Sequence, residues 1–231
     1  MKILAFNASP RKSRGTTDVL MEAFIEGAKK SNVDVEKHHI TDLNINGCLS
    51  CFTCWWKTPG VCVHRDDMDW ILPSFSDADV LLFGTPIYGR NTTHYMQRLV
   101  ERTFSFNLPE MQVTDGQTTH PGRIRKIPQL VLAATCGFPD LNNFALVRAL
   151  YPTAIPILLP ASQMLYSEEG REYHSDFLDA IRQTGQKMAA GEEIPETLRN
   201  KLIVEYPDEM KGKIISSHNL YSASRMEESK E

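Results

Sequence analysis

The stretch KILAFNASPRKSRGTT, residues 2–17, joins an apolar run to a turn-rich loop and the beginning of a helical pattern. Its apolar residues are continuous, not alternating with polar ones, which is typical of a strand buried on both faces in a parallel sheet. Two later runs have the same form, DVLLFG at 79–84 and QLVLAAT at 129–135, and each also precedes a loop and a helical pattern. These three runs predict the central strands of a parallel sheet.

Two weaker runs predict edge strands. DVEKHHIT at 34–41 is rich in polar residues, and TAIPILLP at 153–160 contains Pro156, which cannot donate a ladder hydrogen bond. Helical patterns cover residues 17–30, 67–76, 94–106, 142–151 and 173–190. Pro73 is expected to bend the second of these helices or to end it early. The alternation predicts an α/β fold with three α/β/α layers, in which a five-stranded parallel sheet has the flavodoxin-like order 2-1-3-4-5.

Composition narrows the classes of protein. The chain has 231 residues, 42% of them hydrophobic and 23% charged, with a formal net charge of −4, so we expect no nucleic-acid partner. The first apolar run extends only from Ile3 to Phe6, which is too short for a signal peptide. No run approaches the roughly 18 apolar residues of a membrane span. We therefore predict a soluble cytoplasmic protein with no membrane partner.

The same pass along the chain predicts its organisation. Residues 1–190 form the main domain, and a cysteine-rich loop at 47–63 is inserted after the second strand. A long excursion at 108–126 is expected to cover a site. Residues 191–231 are predicted to be a C-terminal extension, with an oligomerisation arm that ends in a flexible tail.

The loop at residues 7–17 has the chemistry that a phosphate monoester needs. It enters a helix, whose first backbone N–H groups attract anions, and it is rich in hydroxyl groups and cations. The residues concerned are Ser9, Arg11, Lys12, Ser13, Arg14, Gly15, Thr16 and Thr17. The loop lacks both the Walker pattern and the GxGxxG fingerprint, which disfavours nucleoside triphosphates and tightly held NAD. The alternative is an ordinary helix start with capping hydroxyls and solvated basic residues.

Two more loops are predicted at the same edge of the sheet. TPIYGRN at 85–91 follows the third strand and TCGFPD at 135–140 follows the fourth. In the predicted strand order both lie beside the first loop, at the topological switch point where flavodoxin-like folds bind FMN. Their aromatic residues offer flat apolar faces to a ring system, and their glycines let backbone amides approach it. Ordinary turns with a tucked aromatic residue are the alternative for either loop alone.

SPRKSRGTT, TPIYG and TCGFP, in this order, resemble the NADPH-dependent FMN reductase family of flavodoxin-like proteins. The likeness covers residues 1–190. It implies that the FMN phosphate is held by Ser9, Arg11, Ser13, Thr16 and Thr17. It implies that the flavin ring is held by Pro86, Ile87, Tyr88, Gly89, Thr135, Cys136, Gly137 and Phe138. It also implies NAD(P)H as a transient reductant, and a homodimer or homotetramer with flavin sites at subunit interfaces.

The segment CLSCFTCWWKTPGVC, residues 48–62, contains four of the five cysteines of the chain. A reducing compartment disfavours disulfides, and three closely spaced cysteines with a fourth nearby are typical of iron–sulfur ligation. The spacing resembles that of the iron–sulfur flavoproteins, which implies a [4Fe-4S] cluster on Cys48, Cys51, Cys54 and Cys62. Unligated thiols and a zinc site remain open. The fifth cysteine, Cys136, is expected to pack without a redox role.

We therefore predict an FMN-dependent oxidoreductase. It would take electrons from NAD(P)H or a protein donor and pass them to a quinone-like or other small-molecule electron acceptor. No acid–base residue is identified, because the protein's part is to bind and orient the flavin. The alternative is an iron–sulfur flavoprotein that carries electrons for a ferredoxin-like donor and has no substrate of its own. A third reading keeps the fold without a flavin, as a binding or scaffold protein.

Overall fold

The computed structural model describes residues 1–124 and 126–228. Its strands are β1 (Lys2–Asn7), β2 (Asp34–His39), β3 (Val80–Pro86), β4 (Gln112–Thr114), β5 (Gln117–Thr119), β6 (Gln129–Thr135) and β7 (Ile155–Leu159). Strands β4 and β5 form a separate antiparallel hairpin within the predicted excursion. The other five form one parallel sheet in the order β2-β1-β3-β6-β7. Numbered among themselves, these five have the order 2-1-3-4-5, so the predicted topology is confirmed.

The described helices are α1 (Thr16–Ala28), α2 (Thr53–Trp56), α3 (Met68–Asp77), α4 (His94–Arg102), α5 (Ala145–Leu150), α6 (Glu168–Tyr173), α7 (Ser175–Ala189), α8 (Glu196–Asn200) and α9 (Asp208–Glu228). Of the two effects expected of Pro73, an early end to the helix was wrong, because α3 continues to Asp77, and a bend stays a prediction. Proline removes only one N–H donor, and the buried Ile71 and Phe75 hold this helix against the sheet.

Three other predicted helices differ in detail. The helix predicted at 94–106 continues beyond α4 only as a 3-10 turn, and the helix predicted at 142–151 begins with such a turn before α5. The helix predicted at 173–190 is divided at His174 between α6 and α7.

The core lies in two apolar layers, one on each face of the sheet. Alternate residues of β1 enter different layers, with Ile3 packing against α1 and α7 and Leu4 packing against α3 and α4. Glycines bring α1 and α7 close together, since a Cβ on Gly27 would lie 1.8 Å from the carbonyl oxygen of Arg182. The arrangement is the predicted three-layer α/β/α fold. No helix among the described residues is long and apolar enough to span a membrane.

The chain after Ala189 returns to the edge of the sheet. Leu198 and Leu202 join the core, and Ile203 forms a parallel bridge with Leu158 of β7. Helix α9 follows, and none of its residues is buried. The flexible tail was expected over SASRMEESKE, residues 222–231. Helix α9 includes residues 222–228 of it, whereas 229–231 lie outside the described residues. A separate role for residues 191–231 stays a prediction.

Candidate functional site

A cavity opens at the carboxyl ends of β1, β3, β6 and β7. Its empty volume is about 530 Å³, including its solvent-open part, which lies within the range of about 300–1,000 Å³ that is typical of ligand pockets. It is lined by Ser9, Arg11, Gly15, Thr16, Thr17, Pro86, Ile87, Tyr88, Thr135, Cys136, Gly137, Ser162, Gln163 and Tyr166. The structure thus brings together the three loops that the sequence singled out.

Most of the predicted flavin contacts line this cavity, and three do not. Ser13 faces solvent in a 3-10 turn, Gly89 forms the tip of a tight turn, and Phe138 is 68% exposed. Three residues that line the cavity were not predicted from the sequence: Ser162, Gln163 and Tyr166. They follow β7, whose carboxyl end meets the same edge of the sheet. Their position after the fifth predicted strand was the one signal that could have identified them.

One end of the cavity is formed by the start of α1. Gly15 is the N-cap residue and makes no side-chain cap, so the first backbone N–H groups of the helix are available to a ligand. A Cβ on Gly15 would lie 2.8 Å from the hydroxyl oxygen of Ser9, which is too close for any larger residue without a shift. This end suits an anion.

Hydrogen bonds fix the hydroxyl groups at this end. The Thr16 hydroxyl donates to the Ser162 hydroxyl at 3.0 Å. The hydroxyl oxygens of Thr17 and Thr135 are 2.8 Å apart. These bonds join the beginning of α1 to the end of β6 and to the segment after β7, so that three parts of the chain form one wall.

Beneath this wall lies a buried polar network. The Asn7 amide donates to the Asp18 carboxylate at 2.7 Å, and the Ser9 backbone N–H donates to the Asn7 side-chain oxygen at 2.8 Å. Lys37 lies 2.5 Å from Asp18 and forms an ion pair with it. The lysine therefore balances the carboxylate below the anion-binding end.

Arg11 is the cation at the rim of this end. Its guanidinium donates to the Tyr166 hydroxyl at 2.7 Å and lies 5.5 Å from the centre of the tyrosine ring. Lys12 instead forms an ion pair with Asp42. Within the part of the chain that the structure describes, no carboxylate forms an ion pair with Arg11. Its charge is therefore available to a bound anion.

The opposite end of the cavity is apolar and is formed by Pro86, Ile87 and Tyr88. Tyr88 and Asn91 exchange backbone hydrogen bonds of 3.0 and 3.1 Å across a two-residue turn. Gly89 and Arg90 have φ of 57° and 66°, which is the backbone of a type I′ turn. The turn holds Tyr88, which is 54% exposed, at the rim.

Cys136 lies at the base of the cavity and is buried. Burial raises the pKa of its thiol, and its sulfur accepts a hydrogen bond from the Phe138 backbone N–H at 3.3 Å. A protonated, packed thiol agrees with the structural role expected for this residue.

The cysteine-rich loop lies after β2. Cys48 and Cys51 are exposed, whereas Cys54 and Cys62 are half-buried. Burial and the nearby Cys62 thiol raise the pKa of Cys54, and a hydrogen bond from Thr53 lowers the pKa of Cys51. Among the described residues, no group of three or more His, Cys, Asp or Glu is placed to hold a metal ion. The predicted ligand set of Cys48, Cys51, Cys54 and Cys62 therefore stays a prediction.

A buried ion pair, which the sequence analysis did not identify, fixes both ends of this loop. Arg102 donates two hydrogen bonds to Asp66, of 2.6 and 3.1 Å, and both side chains are almost fully buried. Arg102 also donates to the Asn46 carbonyl oxygen at 2.9 Å. Burial opposes ionisation of Asp66, but the hydrogen bonds from Arg102 and Asn46 outweigh it and hold the pKa of Asp66 well below its usual range.

An aromatic stack covers the middle of the loop. The rings of Trp55 and Phe104 are stacked with centroids 4.5 Å apart, and the centroid of the His120 ring lies 4.8 Å from that of Trp55. Phe52 packs against both Trp55 and Phe104. His120 belongs to the 108–126 excursion, which here packs on the cysteine-rich loop.

Curated relatives match just under half of the chain. An iron-sulfur flavoprotein of Archaeoglobus fulgidus is 34% identical over 106 residues, which are 46% of this chain and 47% of that protein. An iron-sulfur flavoprotein of Methanocaldococcus jannaschii is 29% identical over 103 residues, which are 45% of this chain and 52% of the relative. The chain therefore spans about half the length of the curated relatives that it matches.

Solved structures share the fold over most of the chain. An NAD(P)H:quinone oxidoreductase from Methanothermobacter marburgensis superposes with a TM-score of 0.61 at 13% identity, covering 81% of this chain and 96% of that one. A flavone reductase has a TM-score of 0.55 at 16% identity, covering 100% of this chain and 92% of the other. At such low identity the likeness shows the fold alone, and it confirms the flavodoxin-like prediction.

A family profile matches the segment that contains the first two loops and the cysteine-rich loop. The family described as NADPH-dependent FMN reductase matches residues 1–117, which are just over half of the 231 residues. This match confirms the resemblance seen in the sequence. The chain belongs to the NADPH-dependent FMN reductase family.

Proposed function

We propose that this protein takes electrons from NAD(P)H or a protein donor and passes them through bound FMN to a quinone-like or other small acceptor. The observation that supports this function is the cavity at the carboxyl edge of the sheet. One end combines a helix start, hydroxyl groups and a free guanidinium, and the other is apolar and aromatic. A flavin mononucleotide has the same division between an anionic phosphate and a flat ring.

Each end of the cavity has a proposed role. The phosphate would be held by the α1 amides with Ser9, Arg11, Thr16 and Thr17. The ring would lie against Pro86, Ile87, Tyr88, Thr135, Cys136 and Gly137. Ser13, Gly89 and Phe138 are proposed contacts from just outside the lining. FMN, when bound, supplies the hydride and electron-transfer chemistry.

The chain's own contribution is to bind, orient and exclude water. Of the described residues that line the cavity, none is a carboxylate or a histidine. A phosphate bound in the cavity therefore meets no negatively charged side chain in the lining. The lining also offers no carboxylate or histidine that could transfer a proton. The Thr17–Thr135 and Thr16–Ser162 hydrogen bonds keep the wall rigid, which reduces the cost of ordering it around a ligand.

We also propose that the working form is a homodimer or homotetramer. The rim of the cavity exposes Tyr88, Phe138 and Tyr166, and helix α9 has no buried residue. A second copy would cover these apolar groups. Light scattering of the FMN-loaded protein tests this, and a single-chain mass would contradict it.

The central experiment is FMN loading followed by turnover. We expect purified protein to bind stoichiometric FMN, seen as flavin absorbance and quenched fluorescence, and to oxidise NADPH or NADH with a soluble quinone. Protein that stays colourless after incubation with FMN would overturn the proposal. Arg148, an exposed arginine on α5 remote from the cavity lining, provides the control variant Arg148→Gln, which should bind FMN as the wild type does.

A second candidate function is favoured by the cysteine-rich loop. Curated relatives that match part of the chain are named iron-sulfur flavoproteins, and one alternative is an electron carrier for a ferredoxin-like donor with no substrate of its own. Iron and sulfide assays of anaerobically purified protein test the [4Fe-4S] prediction, with Cys48→Ala as the comparison. Iron and sulfide, together with reduction only by a ferredoxin system, would favour the carrier. Zinc or metal-free thiols with steady NAD(P)H turnover would favour the enzyme.

A further inference from the structure

An ion pair lies beneath the anion-binding end of the cavity, and neither of its residues lines the cavity. Asp18 is buried, and the side chain of Lys37 is only 18% exposed. The Lys37 ammonium lies 2.5 Å from the Asp18 carboxylate. Thr16 and Thr17, the two residues before Asp18 in α1, do line the cavity. The pair therefore adjoins the lining without being part of it.

Asp18 occupies a position where a carboxylate opposes a bound anion. It lies in the first turn of α1, whose N-cap residue is Gly15. The positive end of a helix dipole attracts negative charge within the first turn, so a carboxylate there stabilises the helix. The same carboxylate repels a phosphate dianion at the first backbone N–H groups, and burial strengthens this repulsion because little water screens it. A phosphate site above Asp18 therefore needs a compensating cation.

Lys37 supplies this cation from another element. It lies on β2, where it is in register with Ala5 of β1. Its ammonium also lies 2.5 Å from the carboxylate of Glu22, which is half-exposed. A buried ion pair adds little net stability to a fold, because the cost of desolvating both charges offsets their attraction. Stability alone is therefore a weak reason for a lysine at this place.

The Asp18 carboxylate also holds the loop that lines the cavity. Its Oδ1 atom contacts both the Lys37 ammonium and the Asn7 side-chain amide, the latter at 2.7 Å. The Asn7 side-chain oxygen in turn accepts a hydrogen bond from the Ser9 backbone N–H at 2.8 Å. Ser9 lines the cavity. This series of contacts runs from an edge strand of the sheet to the loop at the anion-binding end.

We propose that Lys37 is a positioning residue that makes the cavity select FMN over riboflavin. By neutralising Asp18, it leaves the start of α1 and the Arg11 guanidinium available to the phosphate dianion, which riboflavin lacks. This inference rests on the proposed function, because it concerns the cofactor of the same cavity. It goes beyond that function by giving a role in flavin selection to a residue outside the lining.

Fluorescence titration of flavin-free protein with FMN and with riboflavin tests the proposal, since the two flavins differ only in the phosphate. Lys37→Met should weaken FMN binding about tenfold, the size expected for one uncompensated charge near a dianion. It should leave riboflavin binding unchanged. Asp18→Asn removes the carboxylate charge and should tighten FMN binding relative to riboflavin binding. The double variant Lys37→Met with Asp18→Asn should recover the wild-type preference, because both charges are then absent.

Lys2→Met is the matched control. Lys2 forms an ion pair with Glu36 at 2.9 Å, but it begins β1 and so lies at the opposite edge of the sheet from the cavity. This variant should keep the wild-type affinity for both flavins.

The ratio of the two affinities separates an electrostatic role of Lys37 from a merely structural one. An equal loss of FMN and riboflavin binding in Lys37→Met, or a double variant that recovers nothing, would overturn the inference. If Lys37→Met does not fold, Asp18→Asn decides, and an unchanged preference in that variant would overturn the inference. Failure of the proposed function is distinct, because the wild-type protein would then bind neither flavin.

Discussion

The cavity at the sheet edge and the cysteine-rich loop are built by different means. The cavity walls follow from the sheet, because β1, β3, β6 and β7 end together and their loops are joined by short hydrogen bonds. The loop has no sheet beneath its cysteines, and its shape depends on contacts made at its ends and middle. Several strands determine the position of the cavity, because their carboxyl ends meet at one edge of the sheet. The conformation of the loop depends instead on a few long-range contacts.

The backbone of the loop shows this dependence. Ser50 and Phe52 have φ of 51° and 54°, a left-handed conformation that costs free energy for residues other than glycine. Such a backbone persists only where surrounding contacts hold it. In this structure those contacts are the Asp66–Arg102 pair and the stack around Trp55. Substitutions in the two regions should therefore have separable effects.

The largest expected effect comes from the buried pair. Asp66→Asn leaves the Arg102 charge buried without its counter-ion, and removing one partner of such a pair costs about 3–5 kcal/mol of unfolding free energy. Urea denaturation measures this loss. Reaction of the loop thiols with a disulfide reagent should accelerate, because the ends of the loop are released.

The matched control for that substitution is Asp69→Asn. Asp69 pairs with Arg65 on the surface, at 3.2 Å and with both side chains largely exposed. Exposed pairs contribute about 0–1 kcal/mol. FMN affinity should be unchanged in both variants. Equal stability losses would show that the buried pair is not what holds the loop.

Much of this architecture was predictable from local patterns. The continuous apolar runs and their following loops predicted the sheet order and most of the cavity lining. Ser162 and Tyr166 were missed because the segment after β7 carries no phosphate-binding or flavin-like pattern, and its role comes from where the strand ends. Asp66 and Arg102 were missed for another reason. They are 36 residues apart in the sequence, and the hydrophobic periodicity of the chain does not predict that two distant charged side chains are buried as a pair.

The next largest effect is on pH dependence. The pKa of Asp66 is lower in the folded protein than in the unfolded chain, so its pair stabilises the fold above the unfolded pKa of about 4 and is lost as pH falls below it. From about pH 4 downward, wild-type stability should therefore fall more steeply than that of Asp66→Asn, by up to about 1.4 kcal/mol per pH unit. Denaturation at several pH values measures the slopes, and parallel slopes would contradict the assignment.

A smaller effect is expected in the cavity from Gly15→Ala. The added Cβ would lie 2.8 Å from the Ser9 hydroxyl oxygen and 3.2 Å from the Arg11 Cβ, which should displace the first loop. We expect FMN to bind about tenfold more weakly, or about 1.4 kcal/mol, within the usual cost of overpacking. Fluorescence titration with FMN measures this change.

The control for the glycine comes from the other region. Gly47 lies at the start of the cysteine-rich loop, and a Cβ there would have no atom within 4 Å. Gly47→Ala should keep wild-type FMN affinity and thiol reactivity. If it weakened FMN as Gly15→Ala does, the two regions would not be independent.

The smallest effect is expected for substitution of Cys136, the cysteine inside the cavity. This substitution tests whether reactive thiols occur only in the cysteine-rich loop or also in the cavity. Cys136 is buried with a raised thiol pKa, which disfavours the reactive thiolate, and its visible role is to pack and to accept a hydrogen bond from Phe138. Cys136→Ala removes one buried sulfur, which should cost about 1 kcal/mol of stability. It should change FMN affinity by less than about threefold, or about 0.7 kcal/mol. If the Cys136→Ala variant folds and binds FMN but no longer turns over, the thiol has a redox role in the cavity.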